Sequence, residues 1–310
     1  METAPGFIIK HPAVEDAQAI TDLVALCDIE SIGEPDITLS DVIDILNSIK
    51  IDADAWIALS GDNELIGYGF VEVTGADRMD TCIFVHPQHK NRGVGSLLLK
   101  KVEERAKALA KGMEGTKKLM NQVPFTNTAA KNLVESNGYK FSRLYERMKI
   151  ELEEQSAPSV VPGGISLRTF EPDRDEEALF SLYDETFRDT WGYTAKDYSK
   201  WIAQKKGVDY DPSLWLMVWK DDLPVGFLMS RMQDDGLVID LLGVKREYRK
   251  HGIGKALLLQ AFGLAYQRNQ KTIILYVDTD SLSNANRLYQ QVGMRPHSQT
   301  AVYKKELITL

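Results

Sequence analysis

Cysteine is almost missing from this chain. Cys27 and Cys82 are the only two in 310 residues, and neither lies in a CxxC pair or beside histidines at metal-ligand spacing. That argues against a disulfide framework or a zinc site, so no metal is expected and both thiols read as reduced and buried. Histidine is scarce too: His11, His86, His89 and His297 have no partner spacing that suggests metal binding or nucleophilic catalysis. Basic charge is in deficit, with 37 Lys and Arg against 45 Asp and Glu, a net charge of −8 and a pI near 5.3. Nucleic-acid binding needs a basic surface for phosphate contacts, so nucleic acid is not an expected partner, and amine substrates suit the balance better. Long apolar runs are absent as well. No stretch approaches the length needed to cross a bilayer, and METAPGFIIKHP lacks a basic segment followed by an apolar run, so a cytoplasmic protein without a membrane partner is expected.

What remains is an ordinary globular composition, 44% hydrophobic and 26% charged. The length suits two domains of about 150 residues each. A repeat supports that division. "HKNRGVGSLLLK" (89–100) and "YRKHGIGKALLL" (248–259) match with a step of 159, and the same step carries Trp56 to Trp215, Gly67 to Gly226 and Val85 to Val244.

Around these landmarks the two halves share one order of elements. Residues 55–73 and 214–231 each read as two apolar strands around a polar turn. "TCIFV" (81–85) and "IDLLGV" (239–244) read as strands ahead of the glycine turns, and 96–111 and 255–269 as amphipathic helices behind them. "KTIILYV" (271–277), weakly mirrored by "KKLMNQV" (117–123), is a further strand. Each half then closes with a helix ending at Gly138 or Gly293 and a final strand. Pro158, Pro162, Gly163 and Gly164 break any periodicity between the halves. The expected organisation is an N-terminal domain over 1–153, a linker over 154–164 and a C-terminal domain over 165–310. Both domains are expected to be mixed α/β, each a mostly antiparallel sheet flanked by helices.

A bare turn between a strand and a helix is a site for anions, because the first helical amides lack partners and the helix dipole adds positive potential. Two common phosphate motifs fail here. The Walker pattern finds Arg249 where its first Gly belongs and Ala256 after Lys255, and the dinucleotide fingerprint finds Leu98 and Leu257 where its third Gly belongs.

The run Arg249-x-x-Gly252-x-Gly254, after "LLGV" and before an apolar helix, resembles instead the pyrophosphate-binding motif of the GNAT superfamily of N-acetyltransferases. "LYVDTDSLSNANRLYQQVGM" (275–294) is similar to the family's strand, helix and LYxxxGF ending, with Met294 in place of Phe. "TFRDTWGYTAKDYSKW" (186–201) resembles the aromatic first-helix segment of the tandem, mycothiol-synthase-like members. The resemblance spans nearly the whole chain and implies acetyl-CoA as co-substrate. Its diphosphate would lie on Arg249, Lys250, His251, Gly252, Ile253, Gly254 and Lys255, with Val244 and Tyr289 beside the thioester. A second CoA site would lie at Lys90, Asn91, Arg92, Gly93, Val94, Gly95 and Ser96, where Lys90 replaces the family's Arg or Gln.

The resemblance also implies roles. Tyr289 would be the acid for the departing thiolate, the main-chain N–H near Val244 the oxyanion donor, and Asp240 the base, directly or through water. Strand alternation places 240, 242 and 244 on one face. The N-terminal half has Val134 and Thr81 at the corresponding places, with Asp80 one residue off, so that half reads as degenerate. Plainer readings stand beside these: Tyr289 as a core residue, Asp240 as a structural acceptor or edge charge, and the basic residues as a solvated rim. In the mycothiol-synthase-like members a glutamate two residues earlier is the expected base, and Val238 holds that place here. The aromatic segment would cover the acceptor groove and bring Trp191 or Tyr193 to the substrate, or else it packs an aromatic helix face on the sheet.

The function expected is acetyl transfer to the primary amine of a small molecule, in a ternary complex, by a monomer or homodimer. The alternatives are acetylation of a protein or peptide amine, and a non-catalytic CoA-binding sensor or scaffold.

Overall fold

The computed structural model describes residues 2–4, 6–111, 115–154, 161, 163–233, 236–281 and 285–307. Most of the expected linker, including Pro158 and Pro162, lies outside the described residues. The chain divides into two compact units, Met1–Leu144 with Ser298–Leu310, and Tyr145–His297.

In the first unit the strands are β1 (Glu2–Ala4), β2 (Phe7–Lys10), β3 (Ala55–Ser60), β4 (Leu65–Gly75), β5 (Arg78–Val85) and β6 (Lys117–Pro124). Helices α1 (Ala17–Ile32), α2 (Leu39–Ser48) and α3 (Ile51–Asp54) precede β3; α4 (Val94–Ala110) lies between β5 and β6, and α5 (Thr128–Ser136) follows β6. Neighbouring strands are antiparallel except β5 and β6, which are parallel. Alternation along β3 sorts the core into two layers. Trp56 and Ala58 belong to one core cluster with Val94, Leu98 and Val102 of α4, while Ala55 and Ile57 belong to another with Ile20 and Leu23 of α1 and Val42 of α2.

The strand β7 (Lys140–Glu151) leads into the second unit, where β8 (Ile165–Thr169), α6 (Glu176–Phe187) and α7 (Tyr198–Lys205) come first. Then follow β9 (Leu216–Lys220), β10 (Leu223–Gln233), β11 (Gly236–Val244), α8 (Ile253–Gln267), β12 (Thr272–Asp278), α9 (Ala285–Gln291) and β13 (Arg295–Leu307). The order across this sheet is β7–β12–β11–β10–β9–β8, antiparallel except between β11 and β12. Each unit is thus the expected mixed α/β domain with a mostly antiparallel sheet between helices.

The closing strands are exchanged. Residues Tyr145–Glu151 of β7 pair with β12, while Thr300–Leu307 of β13 pair with β6. Met148 and Leu152 accordingly sit in the core of the second unit, and Ala301, Tyr303 and Leu307 in that of the first. The compact units therefore differ from the consecutive spans 1–153 and 165–310. An alternating strand states which of its faces is apolar but not which edge it joins, and both last strands fit either edge by pattern.

Candidate active site

The turn between β11 and α8 has its two glycines for different reasons. Gly252 has φ +85° with open space around its Cβ position, so it is needed for a left-handed conformation rather than for room. Gly254 is the reverse: a Cβ there would lie 2.9 Å from Leu288 Cδ2, so its bareness lets α9 pack against the start of α8. Lys250 is also left-handed, at φ +65°. Among the described residues the N–H groups of 250–255 have no partner, and the first bond inside the helix runs from the Ala256 N–H to the Gly252 carbonyl at 2.9 Å. Exposed Lys250, His251 and Lys255 stand around these amides without an ion-pair partner among the described residues. The Arg249 Nε donates to the Val244 carbonyl at 3.0 Å and ties the turn to the strand end. The result is a concentration of unpaired donors and positive charge suited to a phosphate group.

Beside the turn the sheet opens. β11 pairs with β12 only over Leu237–Ile239, although β11 continues to Val244 and β12 to Asp278. The Lys245 N–H donates to the Val225 carbonyl at 3.0 Å, which fixes the phase of the antiparallel ladder. By alternation the Val244 N–H is directed away from β10, toward this opening. Tyr289 on α9 is only 8% exposed, yet its hydroxyl has no hydrogen-bond partner among the described residues. Burial pushes its pKa up to about 12, so it is a neutral phenol at physiological pH. An unpartnered phenol is available to a ligand but does not by itself mark one, since the buried hydroxyls of Tyr68, Tyr139 and Tyr210 also have no partner among the described residues.

Asp240 departs from the expected alternation. The β10–β11 register runs from Gly226 opposite Val244 to Met229 opposite Leu241, then moves to Ser230 opposite Ile239, leaving Asp240 as the extra residue of a bulge. Val244 lies on the α8 side, since a Cβ at Gly226 would meet both Val244 and Ile253. Gly243 lies on the other side, where a Cβ would meet Thr186 of α6 at 2.6 Å. Asp240 goes with that second side: its Oδ1 accepts from Arg231 Nε at 3.2 Å, and Arg231 in turn lies 3.9 Å from Asp209, just past the end of α7. Asp240 and Val244 therefore do not share a face. The bulge also removes Thr81 as a strict counterpart, because by ladder register Thr81 corresponds to Ile239. Val238 is buried and pairs with Ile274 of β12.

The aromatic segment 186–201 is split. Phe187 rests on Phe227, and Trp201 packs at 4.8 Å from Tyr183, so these two rings belong to the core. Trp191 and Tyr193 lie in the loop between α6 and α7, both half-buried. The Tyr193 hydroxyl donates to Asp184 of α6, so it already ties the loop down. Burial, with that bond second, pushes its pKa up to about 12.

In the first unit the same turn recurs with less around it. Gly93 has φ +84° and Asn91 +59°, a Cβ at Gly95 would lie 3.2 Å from Leu133, and the N–H groups of 91–96 have no partner among the described residues. Lys90, however, is paired with Glu30, and Arg92 approaches His89 at 3.5 Å. Val94 is buried in the core, and Ser96 continues the helix. The Val85 carbonyl accepts from the Cys27 thiol at 3.3 Å instead of from an arginine. Thr81, 1% exposed, donates to the Met120 carbonyl at 3.0 Å and accepts from Asn121 at 3.0 Å, so its hydroxyl is internal. Val134, in the place of Tyr289, is buried and apolar.

Sequence reasoning missed Arg231 as the partner of Asp240. No motif marks it, since the contact arises where the bulge turns Asp240.

Gly252→Val should weaken acetyl-CoA binding at least tenfold, because a β-branched residue resists φ +85° and drags the amides out of line. Isothermal titration of the variant checks this.

Comparison with known proteins agrees with this geometry. Residues 176–294 match the Acetyltransferase (GNAT) family, and residues 52–141 match the Acetyltransferase (GNAT) domain. A mycothiol acetyltransferase of Thermobispora bispora is 28% identical over 261 residues, covering 81% of this chain and 83% of that protein. One from Streptomyces coelicolor is 25% identical, covering 78% and 77%. Among solved structures, a GCN5-related N-acetyltransferase of Sphaerobacter thermophilus superposes with a TM-score of 0.85 at 28% identity, covering 97% of this chain and 95% of that one. A tandem GNAT protein of the clavulanic acid biosynthesis pathway shares the fold, with a TM-score of 0.74 at 17% identity over 98% and 99% of the two chains. GNAT acetyltransferases use acetyl-CoA, and the bare turn, the open strand edge and the unpartnered phenol are compatible with it. The chain belongs to the GNAT acetyltransferases, as an acyltransferase with two such domains in tandem.

Proposed function

We propose that the second unit transfers the acetyl group of acetyl-CoA to the primary amine of a small molecule. The observation that carries this reading is Tyr289, a buried phenol whose hydroxyl has no partner, on the helix packed against the anion-binding turn. In this reading the amides of 250–255, with Arg249, Lys250, His251 and Lys255 around them, hold the diphosphate. The Val244 N–H stabilises the charge that develops on the thioester oxygen, and Tyr289 gives its proton to the departing thiolate. The amine attacks directly in a ternary complex. Cys27 and Cys82 both belong to the first unit, and burial pushes each thiol up to about 12, which suits neither as an acyl carrier.

Asp240, or a water held by it, takes the proton of the amine. Its place on the α6–α7 side of the bulge supports this, because Trp191 and Tyr193, which in this reading meet the acceptor, lie in the loop between those two helices. The relatives' name, mycothiol acetyltransferase, supports a small-molecule acceptor. The first unit supports the fold as a degenerate copy, with a second CoA site at residues 90–96 that keeps its amides and has lost its acid. The test is CoA release with a panel of amines. Asp240→Asn should flatten the acidic limb of the pH–rate profile, because a base must shed its proton before it can act and the amide has none to shed. An unchanged limb would move the base to another group.

A further inference from the structure

We infer that Arg231 is a positioning residue for the proton transfer: from β10 it holds Asp240 ionised and turned to the α6–α7 side of the bulge. The inference rests on the reading above in which Asp240 is the base, and it names the group that fits that carboxylate for the task.

A bulge leaves its extra residue without a partner across the ladder, so strand pairing does not fix where the Asp240 side chain points. Arg231 supplies that constraint. It stands opposite Val238, and Asp240 lies two residues further along β11, on the diagonal that a long side chain spans. The Arg231 Nε donates to Asp240 Oδ1 at 3.2 Å, and its Nη1 lies 3.9 Å from Asp209 Oδ2. Asp209 belongs to the segment after α7, where its neighbour Tyr210 packs its ring 5.0 Å from that of buried Trp215. The guanidinium thus lies between a packed segment and the carboxylate on β11.

The first unit offers a comparison. The step of 159 that relates the halves puts Glu72 in the place of Arg231. There the ladder runs without a bulge from Phe70 opposite Cys82 to Val73 opposite Met79. Glu72 stands opposite Asp80, whose two oxygens accept from Arg78 of the same strand at 2.8 and 3.0 Å. The unit read as degenerate therefore has neither the bulge nor the arginine across from it.

A cation in hydrogen-bond contact favours the charged form of a carboxylate, and the charge-assisted bond fixes its direction. The Arg231 and Asp240 side chains are each 30% exposed, so water weakens the pair without removing it. Asp209 opposes the effect from the segment after α7, while Lys205 at the end of α7 adds a positive charge that reaches Asp240.

The experiment records the pH dependence of kcat for CoA release, with the fastest acceptor from a panel of amino acids, amino sugars and polyamines. It compares the wild type with Arg231→Gln, Arg231→Lys, Asp209→Asn and Asp240→Asn, and titration with acetyl-CoA verifies that each variant is folded. Arg231→Gln should move the acidic limb up by about one pH unit, because without the cation the carboxylate keeps its proton to higher pH. It should also lower the plateau about tenfold, through lost orientation. Arg231→Lys keeps the charge but not the planar fork, so its limb should stay near the wild-type position while its plateau falls. Asp209→Asn removes an opposing anion and should move the limb the other way, by less. A limb that vanishes in Asp240→Asn but does not move in Arg231→Gln overturns the inference and leaves Asp240 as the base. Equal slowing in Arg231→Gln and Arg231→Lys at an unmoved limb overturns it too, since that marks a structural role. Should Arg231→Gln fail to fold, Asp209→Asn decides, and a limb that it does not lower counts against the inference. An unchanged limb in Asp240→Asn defeats the base assignment and the inference with it, whereas no release from any amine defeats the acetyl-transfer reading as well.

Discussion

Replacing Tyr289 with Phe is expected to lower kcat by about a hundredfold or more, the usual contribution of a positioned general acid, with acetyl-CoA affinity nearly unchanged. The phenol is almost fully buried and its pKa is pushed up to about 12, so it keeps its proton at neutral pH and can donate it. Phe preserves the ring that fills the core between α8 and α9 and removes only the hydroxyl. Because that hydroxyl has no protein partner among the described residues, its loss leaves no buried group unpaired, and stability should hardly change. Pre-steady-state and steady-state CoA release, with a thermal melt as control, separate the two effects. Turnover equal to wild type would remove Tyr289 as the acid and leave it a core residue.

Deleting residues 298–310 should unfold the first unit while the second keeps its sheet. Thr300–Leu307 supply the strand beside β6, and Ala301, Tyr303 and Leu307 are buried in the first unit's core. Lys305 donates to both oxygens of the buried Glu103 at 2.8 Å, and the Tyr303 hydroxyl donates to Glu135 at 2.9 Å. Loss of a large buried side chain costs about 2–5 kcal/mol, and an orphaned buried carboxylate adds about 3–5 kcal/mol. Together these rival the roughly 5–15 kcal/mol that holds a whole domain. Amide hydrogen exchange over 117–124 and 272–278 reads the two sheets separately. Protection that persists over 117–124 would mean that the exchanged strand is dispensable to the first unit.

Much of this could be read from the sequence, and what could not has a physical cause. The repeat, the hairpins, the strand–turn–helix around each glycine pair and the mixed α/β class are local patterns, and the structure has them where they were expected. The glycines at 252 and 254 were legible as a bare turn, but their separate causes were not. One is a matter of backbone dihedral, while the other depends on a leucine 34 residues away in the chain, at position 288. Strand exchange was invisible because periodicity does not encode partner choice. The side of the sheet that Asp240 faces was misread because a bulge inserts one residue without leaving a mark in composition, and alternation carried across it gives the wrong face. Arg231 escaped for a related reason: its contact with Asp240 depends on how the bulge turns that carboxylate.

The exchange also shapes how the central claim is tested, since a fragment cut near 153 would leave each half without its closing strand. The most direct measurement is isothermal titration of acetyl-CoA onto the intact chain, wild type beside Gly252→Val. The expected result is saturable binding in the wild type and, in the variant, affinity at least tenfold weaker at the second unit's site, with binding at residues 90–96 unchanged. No binding to the wild type, or wild-type binding retained in full by Gly252→Val, would contradict the placement of acetyl transfer at this turn.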